Sequence, residues 1–481
     1  MPLILSGNVA SATADAGYTV ANSCRFDRGS SAYMHKTPGG AGSLTTWTIS
    51  AWVKRANEHG TNSYILDCGA GNGTSLYFGP AAIEFWDYQS GYTGRLTTNA
   101  VYRDHSAWMH IVAVWDTTNG TAGDRMKLYV NGTEVTSFAT DTNPSSSQAS
   151  ILSSTTQITI GSQGTSIYAN LYMAEVCFID GQALTPSSFG EFDEDSPTIW
   201  KPKDVSGLTF GTNGFYLDFE DSANLGNDAN GGTDLTSVNL DATDSATDVP
   251  TNNFATLNPL YLAATSYTIE EGNLQITASA SNAWRSLYTT MPVTSGKWYY
   301  EMKLDAEYGG AGIGNFTPGI VDIEQVVQTS SNGKFFGTSR GYAYHAKDGK
   351  KLNNDTVTDN GPDYGDAWTT GDIVGCAFDL DNQKIYWSKN GTWQDSGDPT
   401  SGATGTGSAF DIGSGYTYTP AMANYYTTEN YSFNFGGCPA FAITSNSGSG
   451  YQDANGFGKM EYAFPDTDYY CLCTANLAEF G

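Results

Sequence analysis

The sequence predicts an all-β protein made of two tandem antiparallel β-sandwich domains of the jelly-roll type. Three observations support this prediction: aromatic residues make up 13% of the chain, charged residues make up only 15%, and the 481 residues include 55 glycines. Aromatic residues favour strands, and glycine favours the tight turns between them. Helical bundles favour leucine, glutamate, lysine and alanine, and disordered chains lack aromatic residues, so both of these classes fit poorly.

Short apolar segments recur along the chain without helical spacing. Residues 47–53 alternate between apolar and polar, residues 108–115 are almost entirely apolar, and residues 126–130 lead into Asn131-Gly132. An Asn-Gly pair after such a segment is the strongest short-range signal for a hairpin, because a type I′ turn needs positive φ at both central residues. Short strands separated by turns predict a sandwich or jelly roll.

A similar hairpin recurs later, where residues 372–379 lead into residues 384–387 and then Asn390-Gly391. The two hairpins indicate the same architecture twice, although the shared pattern is too short to show a duplication. The predicted segments are an N-terminal arm at 1–20, a first sandwich at 21–195, a linker rich in Asp, Asn, Gly and Pro at 196–262, a second sandwich at 263–440, and a tail with a closing strand at 441–481. We expect the linker to pack partly on its neighbours and to contain one ordered strand, at residues 213–219.

Charge and terminal sequence limit the partners of this protein. With 22 Lys and Arg against 50 Asp and Glu, the net charge is −28, which disfavours binding to nucleic acid or to anionic membranes. The N-terminus lacks the basic and apolar regions of a signal peptide, and no segment approaches the ~20 apolar residues of a membrane span. We therefore expect no nucleic acid partner, no membrane insertion and no export.

The seven cysteines are scattered and odd in number, so we expect reduced thiols.

Motifs that resemble catalytic sites are incomplete, so we predict that the protein is not an enzyme. Glycosidases need paired carboxylates, and the nearest candidate, the acidic segment around Glu191 and Asp193, reads as a solvated loop. Residues 337–341 match G-x-S-x-G, but a strand follows them where a nucleophile elbow needs a helix. His110 lies within an apolar strand, where we expect a structural hydrogen bond.

Two Asx-Gly segments resemble parts of calcium-binding loops. The first contains Asp228 and Asn230, with Asp234 nearby, and the second spans residues 453–456. Carboxylate and amide oxygens are the ligands that calcium prefers, but both segments lack the closing bidentate glutamate of an EF-hand. Asx-Gly turns have the same sequence pattern without a metal. Calcium is therefore the one candidate ion, and no other cofactor is expected.

Two clusters of aromatic residues are candidates for ligand contact. The first contains Trp86, Tyr88 and Tyr92, and the second contains Tyr425 and Tyr426. Rigid aromatic rings stack on sugar rings, and the Asn, Asp and Gln residues nearby can hydrogen-bond sugar hydroxyls. The alternative for each cluster is a position in the core or in a subunit interface, and the sequence leaves this choice open.

Two stretches of the chain resemble known domain families. Residues 24–190 resemble the laminin-G-like, concanavalin A-like jelly roll, and residues 266–436 are similar to a SPRY domain. The motifs that carry these resemblances are Trp-Met-His-Ile-Val at 108–112, Lys-Leu-Tyr-Val-Asn-Gly at 127–132, Met-Ala-Glu-Val at 173–176, Ser-Gly-Lys-Trp-Tyr-Tyr-Glu at 295–301, Phe-Asp-Leu-Asp at 378–381 and Tyr-Ser-Phe-Asn-Phe-Gly at 431–436. Both resemblances imply lectin-like binding domains.

The segments outside these domains resemble structural proteins of marine bacteriophages, in which a jelly roll and a SPRY-like domain occur in tandem. The matching segments are residues 184–190, 200–203, 216–219, 251–259 and 472–477. This resemblance implies a non-enzymatic virion protein, such as a tail fibre, an appendage or a capsid fibre, made in the cytoplasm of the bacterial host and exposed on the virion surface. It would display its lectin-like domains to a glycan or protein of the host surface.

The same resemblance implies the remaining partners. We expect a homo-oligomer, for which a trimer is one arrangement, and contact with other virion proteins through the N-terminal arm. The anchor residues of that arm are Met1, Pro2, Leu3, Ile4 and Leu5. Two alternatives stay open: a capsid decoration protein with a mainly structural role, and a polysaccharide depolymerase.

Overall fold

The computed structural model describes residues 17–57, 60–80, 82–261, 266–279, 283–308, 315–327, 333–354 and 361–481. The protein is nearly all β, with 39% strand and 8% helix in several antiparallel sheets, and this confirms the predicted fold class. The chain divides into two compact units, an N-terminal unit of residues 14–251 and a C-terminal unit that contains residues 252–481. The predicted anchor, Met1 to Leu5, lies outside the described residues.

The N-terminal unit is a sandwich of two eight-stranded sheets. Its strands are β1 Ser23–Phe26, β2 Tyr33–Lys36, β3 Thr46–Arg55, β4 Ser63–Cys68, β5 Thr74–Phe78, β6 Ile83–Tyr88, β7 Tyr92–Thr98, β8 Trp108–Asp116, β9 Met126–Val130, β10 Thr133–Glu134, β11 Phe138–Thr142, β12 Ile158–Ile160, β13 Ser162–Gln163, β14 Ile167–Tyr168, β15 Leu171–Asp180, β16 Gly190–Phe192, β17 Trp200–Pro202, β18 Phe215–Leu217, β19 Thr236–Val238 and β20 Ser245–Ala246. The first sheet has the order β10-β9-β8-β3-β15-β1-β20, with β18 also paired to β15, and the second has the order β11-β7-β6-β5-β4-β12-β2-β19. The other four strands form two separate pairs, β13 with β14 and β16 with β17.

The inner faces of these two sheets form one apolar core. The alternation in β3 places Trp47, Ile49, Ala51 and Val53 in that core, as the sequence predicts. Trp47 stacks on Trp115 of the neighbouring β8, with 5.9 Å between ring centroids. Each fully buried large apolar side chain contributes about 1.5–3 kcal/mol to stability.

The unit's own later residues cover the outer face of its first sheet. On that face Ile179 packs in one cluster with Phe210, and the buried Lys54 ammonium forms a 2.6 Å ion pair with Asp248. The boundary between the two units therefore falls inside the segment predicted as a linker, because residues 196–251 belong to the N-terminal unit. The predicted ordered strand within this segment corresponds to β18.

The C-terminal unit is a second sandwich, of a nine-stranded and a five-stranded sheet. Its elements are β21 Tyr267–Glu270, β22 Gln275–Ala278, β23 Arg285–Tyr288, β24 Lys297–Ala306, β25 Phe316–Asp322, β26 Gly341–Tyr344, β27 Lys351–Leu352, β28 Ile373–Asp379, β29 Lys384–Lys389, β30 Thr392–Trp393, β31 Phe410–Asp411, β32 Tyr418–Asn424, β33 Asn430–Asn434, β34 Tyr469–Tyr470 and the helix α1 Thr474–Phe480. The order is β21-β22-β33-β24-β28-β29-β30 in the larger sheet, with β31 on β29 and β34 on β24, and β23-β32-β25-β26-β27 in the smaller.

The C-terminal residues cover the outer face of the larger sheet. Tyr299 on that face packs in one cluster with Met460. The buried Glu301 carboxylate accepts backbone hydrogen bonds from Glu461 at 2.8 Å and from Tyr462 at 2.7 Å.

Within the described residues, no helix is long and apolar enough to cross a bilayer.

Both Asn-Gly pairs form the tight hairpin turns predicted from the sequence. Asn131 and Gly132 join β9 to β10 with φ of 47° and 75°, and Asn390 and Gly391 join β29 to β30 with φ of 49° and 79°. Positive φ at both positions is the signature of a type I′ turn, whose twist matches that of the flanking strands.

Candidate functional site

The outer face of the second sheet of the N-terminal unit carries a row of aromatic side chains. Because successive strand residues point to opposite faces, Tyr64 of β4, Tyr77 of β5 and Trp86 of β6 lie side by side on this outer face. Tyr64 stacks on Tyr77 with 4.6 Å between ring centroids, and Tyr77 meets Trp86 edge to face at 6.4 Å. We call these three residues, with Tyr88 and Tyr92, the aromatic row.

The rings of the row become accessible at the hairpin between β6 and β7. Trp86 is only 6% exposed, whereas Tyr92 is 48% exposed. Tyr92 contacts both Trp86, at 6.0 Å, and Tyr88, at 5.2 Å, in edge-to-face geometry. The structure thus brings the three predicted residues together, with Trp86 as a buried support and Tyr92 as the accessible ring.

A charged pair borders Tyr92. The Arg95 guanidinium lies over the Tyr92 ring, 4.7 Å from its centroid, and its Nη2 donates a 2.8 Å hydrogen bond to Glu84 Oε2. Arg95 and Glu84 share the face of the row because both alternate with core residues in β7 and β6. An aromatic face, a planar donor group and a carboxylate acceptor therefore lie within one small surface area.

A buried carboxylate lies near the end of β4, the strand that carries Tyr64. Asp67 accepts hydrogen bonds from Ser75 Oγ at 2.5 Å and from the backbone N–H of Ala70 at 3.0 Å. Burial raises the pKa of Asp67 to about 6 and that of Tyr64 to about 12. Asp67 therefore orders the adjoining turn and links β4 to β5.

The predicted residues Tyr425 and Tyr426 lie in a second aromatic cluster, in the C-terminal unit. Their rings meet edge to face at 5.0 Å just after β32. Tyr426 stacks on Tyr308 at 4.7 Å, with 10° between the ring planes, and Tyr425 packs against the buried Trp284 at 5.7 Å. Tyr308 is 39% exposed and is the most accessible ring of the four.

Neither Arg95 nor Tyr308 stands out in the sequence as a site residue. The alternation in β7 could have placed Arg95 on the outer face, but strand pairing is what brings it beside Glu84 and Tyr92. Tyr308 meets Tyr426 only through the tertiary fold, so no local pattern could have found that contact.

Protein groups engage two of the three predicted calcium residues, Asp228 and Asp234, whereas Asn230 is exposed and its backbone N–H donates to Asp228. Asp228 Oδ1 accepts hydrogen bonds from the backbone N–H groups of Tyr216 and Asn230, and its Oδ2 lies 3.7 Å from Lys36 Nζ. Asp234 accepts a 3.0 Å hydrogen bond from the backbone N–H of Asp228. Within the part of the chain that the structure describes, no group of three or more His, Cys, Asp or Glu is arranged to hold a metal ion. Calcium binding stays a prediction.

The acidic segment considered for glycosidase chemistry forms a turn between β16 and β17. Asp193 accepts backbone hydrogen bonds from Ser196 and Asp195, and its other oxygen lies 3.3 Å from Lys201 Nζ. The Ser196 hydrogen bond, followed by the contacts with Lys201, lowers the pKa of Asp193. Such a carboxylate stabilises a turn, and its lowered pKa opposes a role as a general acid.

His110 makes the structural hydrogen bonds that the sequence predicts. Its Nε2 lies 2.8 Å from Ser50 Oγ, and its Nδ1 accepts a 3.0 Å hydrogen bond from Trp200 Nε1. The ring also stacks on Trp52, at 4.8 Å between centroids, and on Trp200, at 6.0 Å. This histidine therefore fastens the β16–β17 hairpin to the first sheet.

Family profiles match both sandwich units. Residues 28–188 match the concanavalin A-like lectin/glucanase superfamily in its laminin-G form, and residues 297–438 match the SPRY domain. The chain therefore contains a concanavalin A-like domain followed by a SPRY domain, which are binding folds. This confirms both domain resemblances, while the matches give no indication of a bacteriophage origin.

Curated relatives match short stretches of the chain. A Ran-binding proteins 9/10 homolog of Drosophila melanogaster is 27% identical over 130 residues, which cover 26% of this chain and 12% of the relative. The E3 ubiquitin-protein ligase RKP of Arabidopsis thaliana is 27% identical over 147 residues, 31% of this chain and 10% of the relative. Ran-binding protein 9 of Danio rerio is 29% identical over 102 residues, which cover 21% of this chain and 15% of the relative. The chain thus spans less than a sixth of the length of these relatives.

Solved structures match at low identity. The SPRY domain of human HERC1 is 19% identical, with a TM-score of 0.27, over 38% of this chain and 98% of that one. A candidate carbohydrate-binding protein of Bacteroides ovatus is 16% identical, with a TM-score of 0.32, over 46% of this chain and 58% of that one. The heptameric SAP-like pentraxin of Limulus polyphemus is 15% identical, with a TM-score of 0.27, over 35% of this chain and 80% of that one.

Proposed function

We propose that the protein is a non-enzymatic glycan-binding protein and that its binding surface is the accessible end of the aromatic row. The observation that carries this proposal is the grouping of the half-exposed Tyr92 ring with the Arg95–Glu84 pair on one sheet face. The outer face of the other sheet of this unit is covered by the unit's own residues. The Tyr92 end of the row therefore offers a ligand both an aromatic surface and hydrogen-bonding groups.

The grouping suits the chemistry of a sugar. The apolar C–H face of a pyranose ring packs on an aromatic ring, and its edge hydroxyls both donate and accept hydrogen bonds. Glu84 supplies acceptors and Arg95 supplies donors in a fixed plane. Because these two charges neutralise each other, the surface favours neutral hydroxyl-bearing sugars over strongly anionic ones.

Binding without cleavage also fits the carboxylates near the row. Retaining glycosidases need two carboxyl groups about 5–5.5 Å apart, one of them a nucleophile and the other an acid. Glu84 is held by Arg95, and the raised-pKa Asp67 is buried and bonded to Ser75 and Ala70. Of these two carboxyl groups only Glu84 can reach a bound sugar, so this surface does not offer the pair that a retaining mechanism needs.

The test is an array of defined neutral oligosaccharides probed with the full chain, followed by affinity measurements on the strongest binder. We expect Tyr92→Ala to weaken binding about fivefold or more, as for an aromatic anchor that a bound ligand covers. Phe192→Ala is the matched control, because Phe192 is 46% exposed in the same unit but lies on the β16–β17 hairpin. Equal affinities for Tyr92→Ala and the parent protein would contradict this site, and release of shortened oligosaccharide would contradict the non-enzymatic assignment.

We propose further that the chain acts on a virion surface, as an oligomeric fibre or appendage adhesin that attaches to a host glycan. The support is the resemblance of the segments at 184–190, 251–259 and 472–477 to bacteriophage structural proteins. A capsid decoration protein is the second candidate, since the same segments favour it equally. Immunogold labelling of particles separates them: label on tail appendages supports the adhesin, label on the shell supports decoration, and unlabelled particles contradict both.

A further inference from the structure

We infer that the C-terminal unit holds a second sugar-binding site, centred on the Tyr308 ring. The ligand class rests on the proposed function, whereas the place of the site rests on the second aromatic cluster, here defined as Tyr308, Tyr425, Tyr426 and Trp284. These residues come from three separate parts of the chain and meet at one edge of the sandwich.

The cluster is a rigid platform for a ligand. Trp284 is 2% exposed and packs against Phe336 at 5.0 Å and Tyr425 at 5.7 Å. The backbone N–H of Tyr425 donates a 3.1 Å hydrogen bond to the backbone carbonyl of Asn315. Because the supporting rings are fixed before a ligand binds, little side-chain entropy is lost on binding.

The geometry of the rings favours a sugar over a proline-rich peptide. Tyr308 uses one ring face to stack on Tyr426, at 4.7 Å and 10°, and it is nevertheless 39% exposed. Because Tyr426 occupies one face of the Tyr308 ring, a ligand can stack on one face at most, which matches the apolar face of one pyranose. A proline-rich helix docks in grooves lined by aromatic rings, and the space between Tyr308 and Tyr426 is closed by their own stacking.

The residue before Tyr308 in the chain holds this segment in place. Glu307 directly precedes Tyr308, and its Oε1 accepts hydrogen bonds from the hydroxyl of Thr369 and from the backbone N–H of Thr370, the latter at 2.8 Å. These hydrogen bonds tie the segment that carries Tyr308 to residues 369–370 and add to the rigidity of the platform.

Two sites of the same class in one chain predict multivalent binding. When one site is engaged on a surface that carries many copies of a glycan, binding at the other becomes effectively intramolecular. The avidity of the chain for a dense glycan surface then exceeds the affinity of either site for a soluble oligosaccharide.

The experiment uses the full chain and the oligosaccharide selected on the array, immobilised at high and at low density. Tyr308→Ala is compared with Tyr308→Phe, which keeps the ring, and with Tyr451→Ala, which removes a tyrosine of similar exposure elsewhere in the unit. We expect Tyr308→Ala to lower the apparent affinity on the dense surface about tenfold or more, and Tyr308→Phe and Tyr451→Ala to leave it near that of the parent protein. In the Tyr92→Ala background, Tyr308→Ala should abolish the remaining binding.

The outcomes separate this inference from the proposed function. If Tyr308→Ala leaves binding unchanged both in the parent protein and in the Tyr92→Ala variant, the second site is contradicted. If Tyr92→Ala nevertheless lowers binding, the first site is still supported. Loss with Tyr308→Ala but not with Tyr92→Ala would support the second site and contradict the first. Competition by a proline-rich decapeptide, with no effect of free oligosaccharide, would overturn the assignment to sugars.

Discussion

His110 illustrates how burial fixes the role of a titratable residue. The ring is stacked on Trp52 and Trp200 and hydrogen-bonded at both nitrogens, to Ser50 and to Trp200. Burial lowers the pKa of His110 to about 3, so the imidazole is neutral throughout the physiological range. A neutral, enclosed imidazole cannot exchange protons with a substrate and acts here as a packing and hydrogen-bonding element.

At the residue scale, we predict that His110→Ala costs about 2–4 kcal/mol in the free energy of unfolding. The substitution leaves a cavity between two tryptophans and removes the partners of Ser50 Oγ and Trp200 Nε1. His35→Ala is the control, because the partly exposed His35 has one side-chain hydrogen bond, to Gln157. Urea unfolding measures the free energy of unfolding of both variants. Equal decreases for the two variants would show that the burial of His110 contributes nothing to stability.

At the scale of elements, segments that look like connections act as covers for sheet faces. In the N-terminal unit, Phe189, Val205 and Phe210 pack on apolar side chains of the first sheet, and Val249 packs with Trp52. These segments carry too few regular apolar repeats to be recognised as core from sequence, because a cover needs only scattered contacts. Burial of the outer sheet face is therefore a property of the whole unit.

We predict that a variant ending at residue 251 is soluble and monodisperse, whereas a variant ending at residue 195 aggregates. The shorter chain lacks β18 and β20 and exposes the buried Lys54 together with the apolar face around Ile179. Size-exclusion chromatography with light scattering checks both variants. A well-behaved, folded chain of residues 1–195 would show that the covering segment is dispensable.

At the scale of the whole molecule, stability should depend on pH through buried glutamates. Burial raises the pKa values of Glu175, Glu301 and Glu429 from an ordinary value of 4.5 to about 7. Between these limits these three groups bind more protons in the folded protein than in the unfolded chain, so their contribution makes the free energy of unfolding fall as pH rises from about 4.5 to 7. His110, with its pKa lowered to about 3, acts in the opposite sense below about pH 6.5 but is outnumbered by the glutamates. The net charge of −28 adds self-repulsion that also grows with pH.

We therefore predict a higher melting temperature at pH 5 than at pH 8. Glu175→Gln should flatten this dependence, because its amide keeps the contacts with Tyr18 and Tyr216 but does not ionise. Glu194→Gln is the control, since Glu194 is exposed in the β16–β17 turn. Differential scanning fluorimetry between pH 5 and pH 8 measures the melting temperatures. A melting temperature that rises toward pH 8 would show that the buried glutamates are stabilised as carboxylates.

The sequence by itself determined the all-β class, the two sandwiches, both Asn-Gly turns and the role of His110. These features depend on side-chain alternation, on backbone φ and on the polarity of a few neighbours, all of which are local. It also located Trp86, Tyr88, Tyr92, Tyr425 and Tyr426 as aromatic clusters, because each cluster is nearly contiguous in the chain.

Only the tertiary structure decided which aromatic rings are accessible and what lies beside them. Strand pairing brings Arg95 and Glu84 to Tyr92, and the packing of distant loops brings Tyr308 onto Tyr426. It also showed that residues 196–251, predicted as a linker that packs partly on its neighbours, belong to the N-terminal unit. Exposure and cross-strand contact depend on which segments cover each sheet face, and that is decided by long-range packing rather than by the pattern of any one segment.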